Sequence, residues 1–411
     1  MTTGEMSERV LVSSPGKVIL FGEHSVVYQK TAIAASLGLR SYLYLERRKD
    51  DIVELILPDV DIRCSWNLNE LPLQWPDYHD SDARHPNDMP NELKSRLDEL
   101  KGKTTKEAQS QAVLAFLYLL VILESKSLKP LTSGFTLCVR SFLPVGAGLG
   151  SSASYSVAIS TALLILNDQI PVEFKEHPDR EAYLNLINKY AFKAEEVIHG
   201  NPSGVDNAVS TFGGAKTFMR GQGFSTLEGF QSLRLLLTNT KVPRSTSKLV
   251  AGVAEKRNAY PEVVNPMLDS MHAIAMRCQG AFSKLQKNQL TSEQLMDELE
   301  DLVELNHCLL AGLGVSHSSL EQVRTITKRL DLKTKLTGAG GGGCAVTFVR
   351  DEVPQSVIDK IMSELEREGF DCYQTSVGGT GADAVLLTGE ENAQWLLETS
   401  LKYRVQYVSL V

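Results

Sequence analysis

A glycine-rich loop between a predicted strand and a predicted helix constrains the fold of this chain more than any other feature. The segment "GFTLCVRSFL" before it is typical of a strand, and "SASYSVAISTALLILN" after it is typical of an apolar helix. Between them, Gly146, Gly148 and Gly150 alternate with other residues. Glycine accepts positive φ and allows a ligand to approach the backbone, and a helix N-terminus favours negative charge. The loop therefore predicts a phosphate site formed by backbone groups.

This loop differs from the loop of the P-loop NTPases. Their motif has lysine after its last glycine, whereas a serine follows Gly150 here. Ser151 and Ser152 could offer hydroxyl groups to a phosphate or to Mg²⁺, which prefers oxygen ligands. Either serine could instead be an ordinary helix N-cap, and the loop taken alone slightly favours that simpler interpretation.

A second glycine run, "TGAGGGGCAVTF", contains the pattern G-x-G-x-x-G at Gly338, Gly340 and Gly343. A dinucleotide fingerprint follows a strand and opens a helix, whereas this run precedes a strand, so a Rossmann site is excluded. So many small residues before a strand favour a close approach by a ligand or by another backbone segment. A plain hairpin turn is the alternative.

The length and the order of predicted elements indicate two domains. A chain of 411 residues is longer than a domain with a single hydrophobic core usually is. Strands and helices are interspersed in both halves, which predicts an α+β fold rather than a doubly wound sheet. We expect one domain over residues 1–229 and a second over residues 230–411, with long helices from about 246 to 330.

Two local predictions concern less regular segments. The start, "RVLVSSPGKVILFGEHSVVY", predicts two short strands with a loop at "SSPGK", because proline and glycine are typical of turns. Residues 76–104 are polar and proline-containing, and predict a surface excursion or a charged helix.

Charge and cysteine content exclude several classes of function. The 42 Lys and Arg against 50 Asp and Glu give a formal charge of -8 without a dense basic run, so no nucleic-acid partner is expected. The six cysteines show neither CxxC pairs nor metal-ligand spacing and indicate reduced thiols. With no apolar run of about 18 residues and no apolar signal core, we expect a cytoplasmic protein without a membrane partner that acts on small molecules.

Three stretches, taken together and in this order, resemble the GHMP kinase superfamily: "SSPGKVILFGEHSVVY", "PVGAGLGSSAS" and "KLTGAGGGGCAVTF". The chain is most similar to the mevalonate-phosphorylating branch, because "HGNPSGVDNAVSTFGG" and "LLLTNTKVPRSTSKLVAGV" are typical of it. The resemblance runs from about residue 10 to 376. It implies a two-domain GHMP kinase fold with the active site in the cleft between the domains, and ATP-dependent phosphorylation of the 5-hydroxyl of mevalonate in isoprenoid and sterol precursor synthesis.

The resemblance also assigns residues to ATP and Mg²⁺. Those assigned to ATP are Ser141, Gly146, Ala147, Gly148, Leu149, Gly150, Ser151, Ser152 and Asp59, although relatives often have asparagine at the position of Asp59. Ser152 and Glu195 are the implied Mg²⁺ ligands, a chemically sensible oxygen pair. Spacing alone does not distinguish Glu195 from its neighbour Glu196.

The implied chemistry rests on Asp206 and Lys17. Asp206 would accept or orient the proton of the acceptor hydroxyl. Outside this motif, an aspartate after glycine would be interpreted as a helix N-cap. Lys17 would pair with Asp206 and keep it ionised, or stabilise charge on the γ-phosphate and contact the substrate.

Four further residues are expected at the substrate. Consecutive residues on a strand point to opposite faces, so Glu23 and His24 are better interpreted as substrate contacts than as joint metal ligands. The resemblance implies that Arg244 and Thr246 line the cleft from the second domain, where a guanidinium suits the mevalonate carboxylate.

Two rival functions stay open. A diphosphomevalonate decarboxylase usually has "YWGK" where this chain has "LFGE". A non-catalytic ligand sensor on the same scaffold would need a damaged site, whereas Lys17, Ser152, Glu195 and Asp206 are all present. The resemblance further implies a homodimer and inhibition by isoprenyl diphosphates that compete at the ATP site.

Overall fold

Strands and helices are interspersed along the whole described chain. The computed structural model describes residues 9–75, 89–102, 107–125, 127, 129–144 and 146–387. The strands are β1 (Arg9–Phe21), β2 (Ala32–Arg47), β3 (Ile52–Leu57), β4 (Ile62–Asn67), β5 (Phe135–Ser141), β6 (Ala215–Met219), β7 (Gly223–Thr226), β8 (Leu233–Asn239), β9 (Thr334–Thr337), β10 (Cys344–Phe348), β11 (Asp371–Val377) and β12 (Asp383–Leu386).

The helices are α1 (Asn91–Lys101), α2 (Glu107–Glu124), α3 (Ser151–Leu166), α4 (Arg180–His199), α5 (Val205–Phe212), α6 (Thr246–Ala259), α7 (Pro261–Gln286), α8 (Ser292–Gly312), α9 (Ser318–Lys328) and α10 (Gln355–Arg367). Short 3₁₀ helices lie at Ser25–Tyr28, Pro58–Val60 and Leu68–Glu70. Of the helices that the structure describes, none is both long enough and apolar enough to cross a bilayer.

The strands join two sheet regions edge to edge. Their order is β4-β3-β5-β2-β11-β8-β10-β9, while β1 pairs with both β2 and β12, and β6 pairs with β2 and β7. Strands β2 and β11 meet at a single residue pair, Leu37 opposite Val377. This narrow junction separates strands β1–β7 and β12 from strands β8–β11.

Apolar side chains on both faces of the sheet form the cores. Helices α2, α3 and α4 cover the sheet of the first half, and the buried run around Phe116 shows that α2 is enclosed on most sides. In the second half, Leu235 and Leu237 of β8 face a core with α7 and α8, whereas Leu236 faces a core with α9 and α10. The alternation follows from the two-residue period of a strand.

The prediction of two short strands at the start of the chain was wrong, because β1 runs unbroken through "SSPGK". The pairing with β2 shifts register between Pro15 and Lys17, which marks a bulge instead of a loop. Pro15 cannot donate a ladder hydrogen bond, but its carbonyl accepts one from Ser210 Oγ at 2.7 Å. Contacts with a distant helix thus replace the turn that the local sequence favours.

The polar segment 76–104 falls partly outside the described residues, which omit 76–88 and 103–106. Where it is described, it forms the charged helix of the two alternatives, α1. Leu93 and Leu97, four residues apart, lie on the same side of α1 and are both buried. This helix therefore packs on the first core through one narrow apolar stripe.

The end of the described chain returns to the first half. Strand β12 pairs with β1, and Arg40 of β2 fixes the segment before it. The Arg40 guanidinium donates to the carbonyl oxygens of Thr380 at 2.9 Å and Gly381 at 2.6 Å, and to Ser13 Oγ at 3.0 Å. The division into domains at residue 229 stays a proposal, and β12 packs against the first of the two.

We predict that Arg40→Ala destabilises the protein and loosens β12. Loss of several charge-assisted hydrogen bonds should lower the free energy of unfolding by about 2–3 kcal/mol. Deuterium exchange should rise at residues 383–386. Arg329→Ala, which removes an exposed ion pair with Glu364, is the control and should change stability by less than about 0.5 kcal/mol. Equal effects of the two variants would contradict the role of Arg40.

Candidate active site

A single large cavity collects almost all the residues predicted for the site. Its volume is about 1040 Å³. The predicted residues that line it are Lys17, Glu23, His24, Asp59, Ser141, Gly146, Gly148, Leu149, Gly150, Ser151, Ser152, Asp206, Arg244 and Thr246. Ala147 and Glu195 do not line it, but each contacts a residue that does.

The glycine loop has the conformation that its sequence requires. Gly146, Gly148 and Gly150 have φ of 72°, 74° and 73°, which disfavour other residues. Between them, Ala147 and Leu149 are buried in the core and anchor the loop. The glycines thus face the cavity while the apolar side chains hold the loop in place.

Helix α3 begins immediately after this loop. Gly150 is its N-cap, so the interpretation of Ser151 or Ser152 as the cap was wrong. The first helical hydrogen bond runs from Ser154 N to Gly150 O at 2.9 Å. The amides of Ser151, Ser152 and Ala153 consequently have no acceptor within the helix and suit an anion.

Lys17 and Asp206 form an ion pair inside the cavity. Lys17 Nζ lies 3.1 Å from Asp206 Oδ1, with 9% and 38% of the two side chains exposed. Lys17 N also donates to Leu149 O at 2.8 Å, which ties the bulge of β1 to the glycine loop. The N-cap of α5 is Gly204, so the alternative interpretation of Asp206 as a cap was wrong. The Asp206 carboxylate remains available for chemistry.

Glu195 and Glu196 have different partners. Glu195 accepts hydrogen bonds from Ser152 Oγ at 3.3 Å and Ser156 Oγ at 2.9 Å. Glu196 instead pairs with Lys193 at 3.0 Å. The structure therefore distinguishes two residues that spacing alone leaves equivalent, because Glu195 is the one that contacts Ser152.

Burial changes the acid strength of Glu195. It raises the pKa of Glu195 to about 7, the Ser156 hydrogen bond opposes the rise, and the charge of Asp206 adds to it. A cation beside this carboxylate would favour its charged form. His199, which the sequence analysis did not assign to the site, lines the cavity with Nε2 3.0 Å from Ser152 Oγ.

The oxygens of Ser152 and Glu195 suit Mg²⁺. A hydroxyl and a carboxylate oxygen 3.3 Å apart are hard donors of the kind this ion takes. Among the described residues there is no group of three or more His, Cys, Asp or Glu that could hold a metal. Mg²⁺ commonly binds one or two protein oxygens and completes its shell with phosphate and water, which this pair allows.

Glu23 and His24 lie in a turn after β1, so the premise that they are neighbours on a strand was wrong. His24 precedes a 3₁₀ helix and has φ of 59°. Its Nε2 lies 2.8 Å from Ala339 O, and a carbonyl only accepts, so Nε2 carries the proton. Both oxygens of Glu23 are bonded within the protein, one to Lys335 and one to Asn306.

Arg244 joins the two glycine runs. Its guanidinium donates to Ala147 O at 2.7 Å and to Gly342 O at 3.4 Å. A Cβ atom at Gly148 or Gly343 would overlap this guanidinium. The second glycine run forms the hairpin between β9 and β10. Other parts of the protein also approach its backbone closely, so the hairpin turn and the close approach predicted for these glycines both hold. Thr246, at the first turn of α6, lines the cavity nearby.

The other end of the cavity is mostly apolar. Asp59 accepts a hydrogen bond from Ser141 N at 2.6 Å and pairs with Arg140 at 3.3 Å. These bonds fix Asp59 against β5. The apolar residues that line this end, none of which the sequence analysis identified, are Leu57, Val60, Val139, Tyr155 and Ile198.

Comparisons with known proteins identify the family. Residues 113–214 match the GHMP kinases N terminal domain, and residues 288–363 match the GHMP kinases C terminal domain. The mevalonate kinase of Homo sapiens is 42% identical over 92% of this chain and 95% of its own length. The enzyme of Candida albicans is 40% identical over 90% of this chain and 88% of its own.

Solved structures share the fold. The structure of L. major mevalonate kinase in complex with R-mevalonate has a TM-score of 0.65 at 25% identity and covers 93% of this chain and 100% of that one. The Methanococcus jannaschii mevalonate kinase, at 23% identity, has a TM-score of 0.65 and covers 92% of this chain and 100% of its own. The predicted superfamily and α+β fold are confirmed, and the chain belongs to the mevalonate kinases of the GHMP kinase superfamily.

Proposed function

We propose that this protein transfers the γ-phosphoryl group of ATP to the 5-hydroxyl of mevalonate and releases 5-phosphomevalonate and ADP. The observation that carries the proposal is the Lys17–Asp206 ion pair, which lies in one cavity with the backbone phosphate loop. Family membership supports the choice of substrate, because the matched relatives are mevalonate kinases. The product is a precursor for isoprenoid and sterol synthesis.

Phosphoryl transfer depends on positioning and on stabilising charge. The amides at the start of α3 and the glycine loop would hold the ATP phosphates. Asp206 would accept the proton of the acceptor hydroxyl, while the Lys17 ammonium beside it would stabilise charge on the transferring group. Mg²⁺, held by Ser152 and Glu195, would neutralise charge on the phosphate oxygens.

The remaining predicted residues divide between the two substrates. His24 and Thr246 would contact the acceptor, and Arg244, fixed between the two glycine loops, would face its carboxylate. The apolar end of the cavity, with Asp59 and Ser141 at its edge, would take the adenosine part of ATP.

The same cavity supports the proposed inhibition by isoprenyl diphosphates. The diphosphate would occupy the glycine loop, and the hydrocarbon chain would lie against the apolar residues at the other end, including Leu57, Tyr155 and Ile198. Competition with ATP is the expected pattern. Homodimer formation and a cytoplasmic location also stay proposals, and they rest on the resemblance to relatives and on the sequence.

Purified protein with ATP and Mg²⁺ should release ADP only when mevalonate is added. Phosphorus NMR should then show one new phosphomonoester signal. Release of CO₂ from diphosphomevalonate instead would identify the decarboxylase activity. ATP binding without turnover would favour a sensor or another acceptor alcohol.

Asp206→Asn should lower kcat by about 10²–10⁴-fold, because the neutral amide cannot accept the hydroxyl proton. The Kd for ATP should change little, since the loop amides remain in place. Asp331→Asn is the control, because Asp331 is an exposed residue that pairs with Lys333. Near-normal turnover of Asp206→Asn would remove this residue from the role of base.

Glu195→Gln and Ser152→Ala should each raise the Mg²⁺ concentration required for half-maximal activity by at least roughly tenfold. Each substitution removes one oxygen ligand or weakens it. Glu196→Gln is the matched control, because it removes an adjacent carboxylate that pairs with Lys193. Identical metal titrations for Glu195→Gln and Glu196→Gln would contradict the assignment of Glu195.

A further inference from the structure

The ion pair between Glu23 and Lys335 is fully enclosed, with both side chains 0% exposed. Glu23 follows β1 in the first half of the chain, and Lys335 lies in β9 of the second half. Lys335 Nζ also donates to Leu336 O at 2.8 Å and lies 5.9 Å from the centre of the Phe21 ring. Lys335 therefore has a fixed position, and it does not line the cavity itself.

Asn306 of α8 completes the environment of Glu23. Its Nδ2 donates to Glu23 Oε2 at 3.1 Å, while Lys335 contacts Oε1. The adjacent His24 binds Ala339 O in the hairpin that follows β9. Residues 23 and 24 are thus both attached to the second half of the chain, and both line the cavity.

The backbone of this turn is in an unusual conformation. His24 has φ of 59°, a value that is uncommon for residues other than glycine. Gly22 before it has φ of 95°, and a Cβ there would overlap Ala32. Backbone preference alone does not keep His24 in this position, so its surroundings must determine it.

Stability alone is a poor explanation for the buried ion pair. Removing two charges from water costs free energy that their attraction only partly offsets, and apolar residues of similar size often serve as well. What a charged pair adds is a defined geometry at a defined point. Here that point is the wall of the candidate active site, next to His24.

We propose that Lys335 and Asn306 are positioning residues for the acceptor alcohol, which act through Glu23 to fix the turn at residues 22–24 and hold His24 at the cavity wall. The proposal rests on the proposed function for the identity of the acceptor, mevalonate. It assigns to Glu23 a supporting role instead of a direct contact. It also means that residues of the second half of the chain position the acceptor-binding part of a site that the first half mainly forms.

Kinetic constants of four variants test this proposal. Lys335→Met should raise the KM for mevalonate by about tenfold or more and change the KM for ATP by less than about twofold. Asn306→Leu keeps the ion pair, so it should also raise the KM for mevalonate and not the KM for ATP, but by a smaller factor. Lys333→Met is the matched control, because this lysine lies outside β9 and pairs with the exposed Asp331; its constants should equal those of the wild type.

The double variant Glu23→Gln/Lys335→Met separates positioning from stability. Lys335→Met alone leaves the Glu23 charge buried without its partner and should lower Tm. The double variant buries no charge at this point, so its Tm should return to within about 2 °C of the wild type. The KM for mevalonate should stay raised. Recovery of both Tm and KM, or an equal rise in both KM values for Lys335→Met, would overturn the proposal.

A measurement without substrate distinguishes this proposal from the proposed function. In protein with ¹⁵N-labelled histidine, the Nε2 proton bonded to Ala339 O should give an NMR signal that is absent in His24→Asn. The signal should be lost or broadened in Lys335→Met and in the double variant, and kept in Lys333→Met. If the signal persists in Lys335→Met and in the double variant, the positioning role is overturned, whatever the acceptor is. If the signal is lost in these two variants but the wild-type protein does not phosphorylate mevalonate, only the proposed function is refuted.

Discussion

The bulge in β1 sets the position of Lys17, and the cavity depends on that position. At the bulge, the Pro15 carbonyl accepts a hydrogen bond from Ser210 of α5, and Lys17 N donates to Leu149 O of the glycine loop. One irregularity in a strand thereby connects the helix that carries Asp206 to the loop that precedes α3. A regular strand would shift Lys17 by one residue and turn its side chain to the other face of the sheet.

The second half of the chain completes the cavity through polar contacts to the first. Arg244 donates to carbonyl oxygens of both glycine loops, and His24 and Glu23 reach residues of β9, α8 and the hairpin after β9. Glycine is required at Gly148 and Gly343 partly because a side chain there would occupy the place of the guanidinium. The two glycine runs, far apart in sequence, are therefore parts of one arrangement around a single arginine.

Local sequence patterns predicted the elements whose conformation depends on neighbouring residues, and missed the features that depend on contacts with residues distant in the sequence. The glycine loop and α3 could be predicted from the spacing of the glycines and from the apolar run that follows them. The bulge at Pro15 could not be predicted, because "SPG" alone indicates a turn and the bulge depends on contacts with a distant helix. Glu195 and Glu196 differ in their partners, because serines of α3 donate to Glu195 whereas Glu196 pairs with Lys193 of its own helix. The partner of Glu23 is 312 residues away. Lys335 lies in a strand whose four residues are all buried, and only the structure shows that burial.

A glycine loop that binds phosphate without a lysine of its own would require positive charge from elsewhere, and Lys17 on the neighbouring strand is the residue proposed to supply that charge. The stem of Lys17 packs on Gly150, where a Cβ would lie 2.8 Å from Lys17 Cγ, and its ammonium group extends to Asp206. In a P-loop the lysine belongs to the loop and is committed to the phosphates. Here the backbone would provide the anion site, and the lysine lies between the loop and the carboxylate proposed as base. In the proposed reaction, this separation would let one cation act on the transferring phosphoryl group and on the acceptor side.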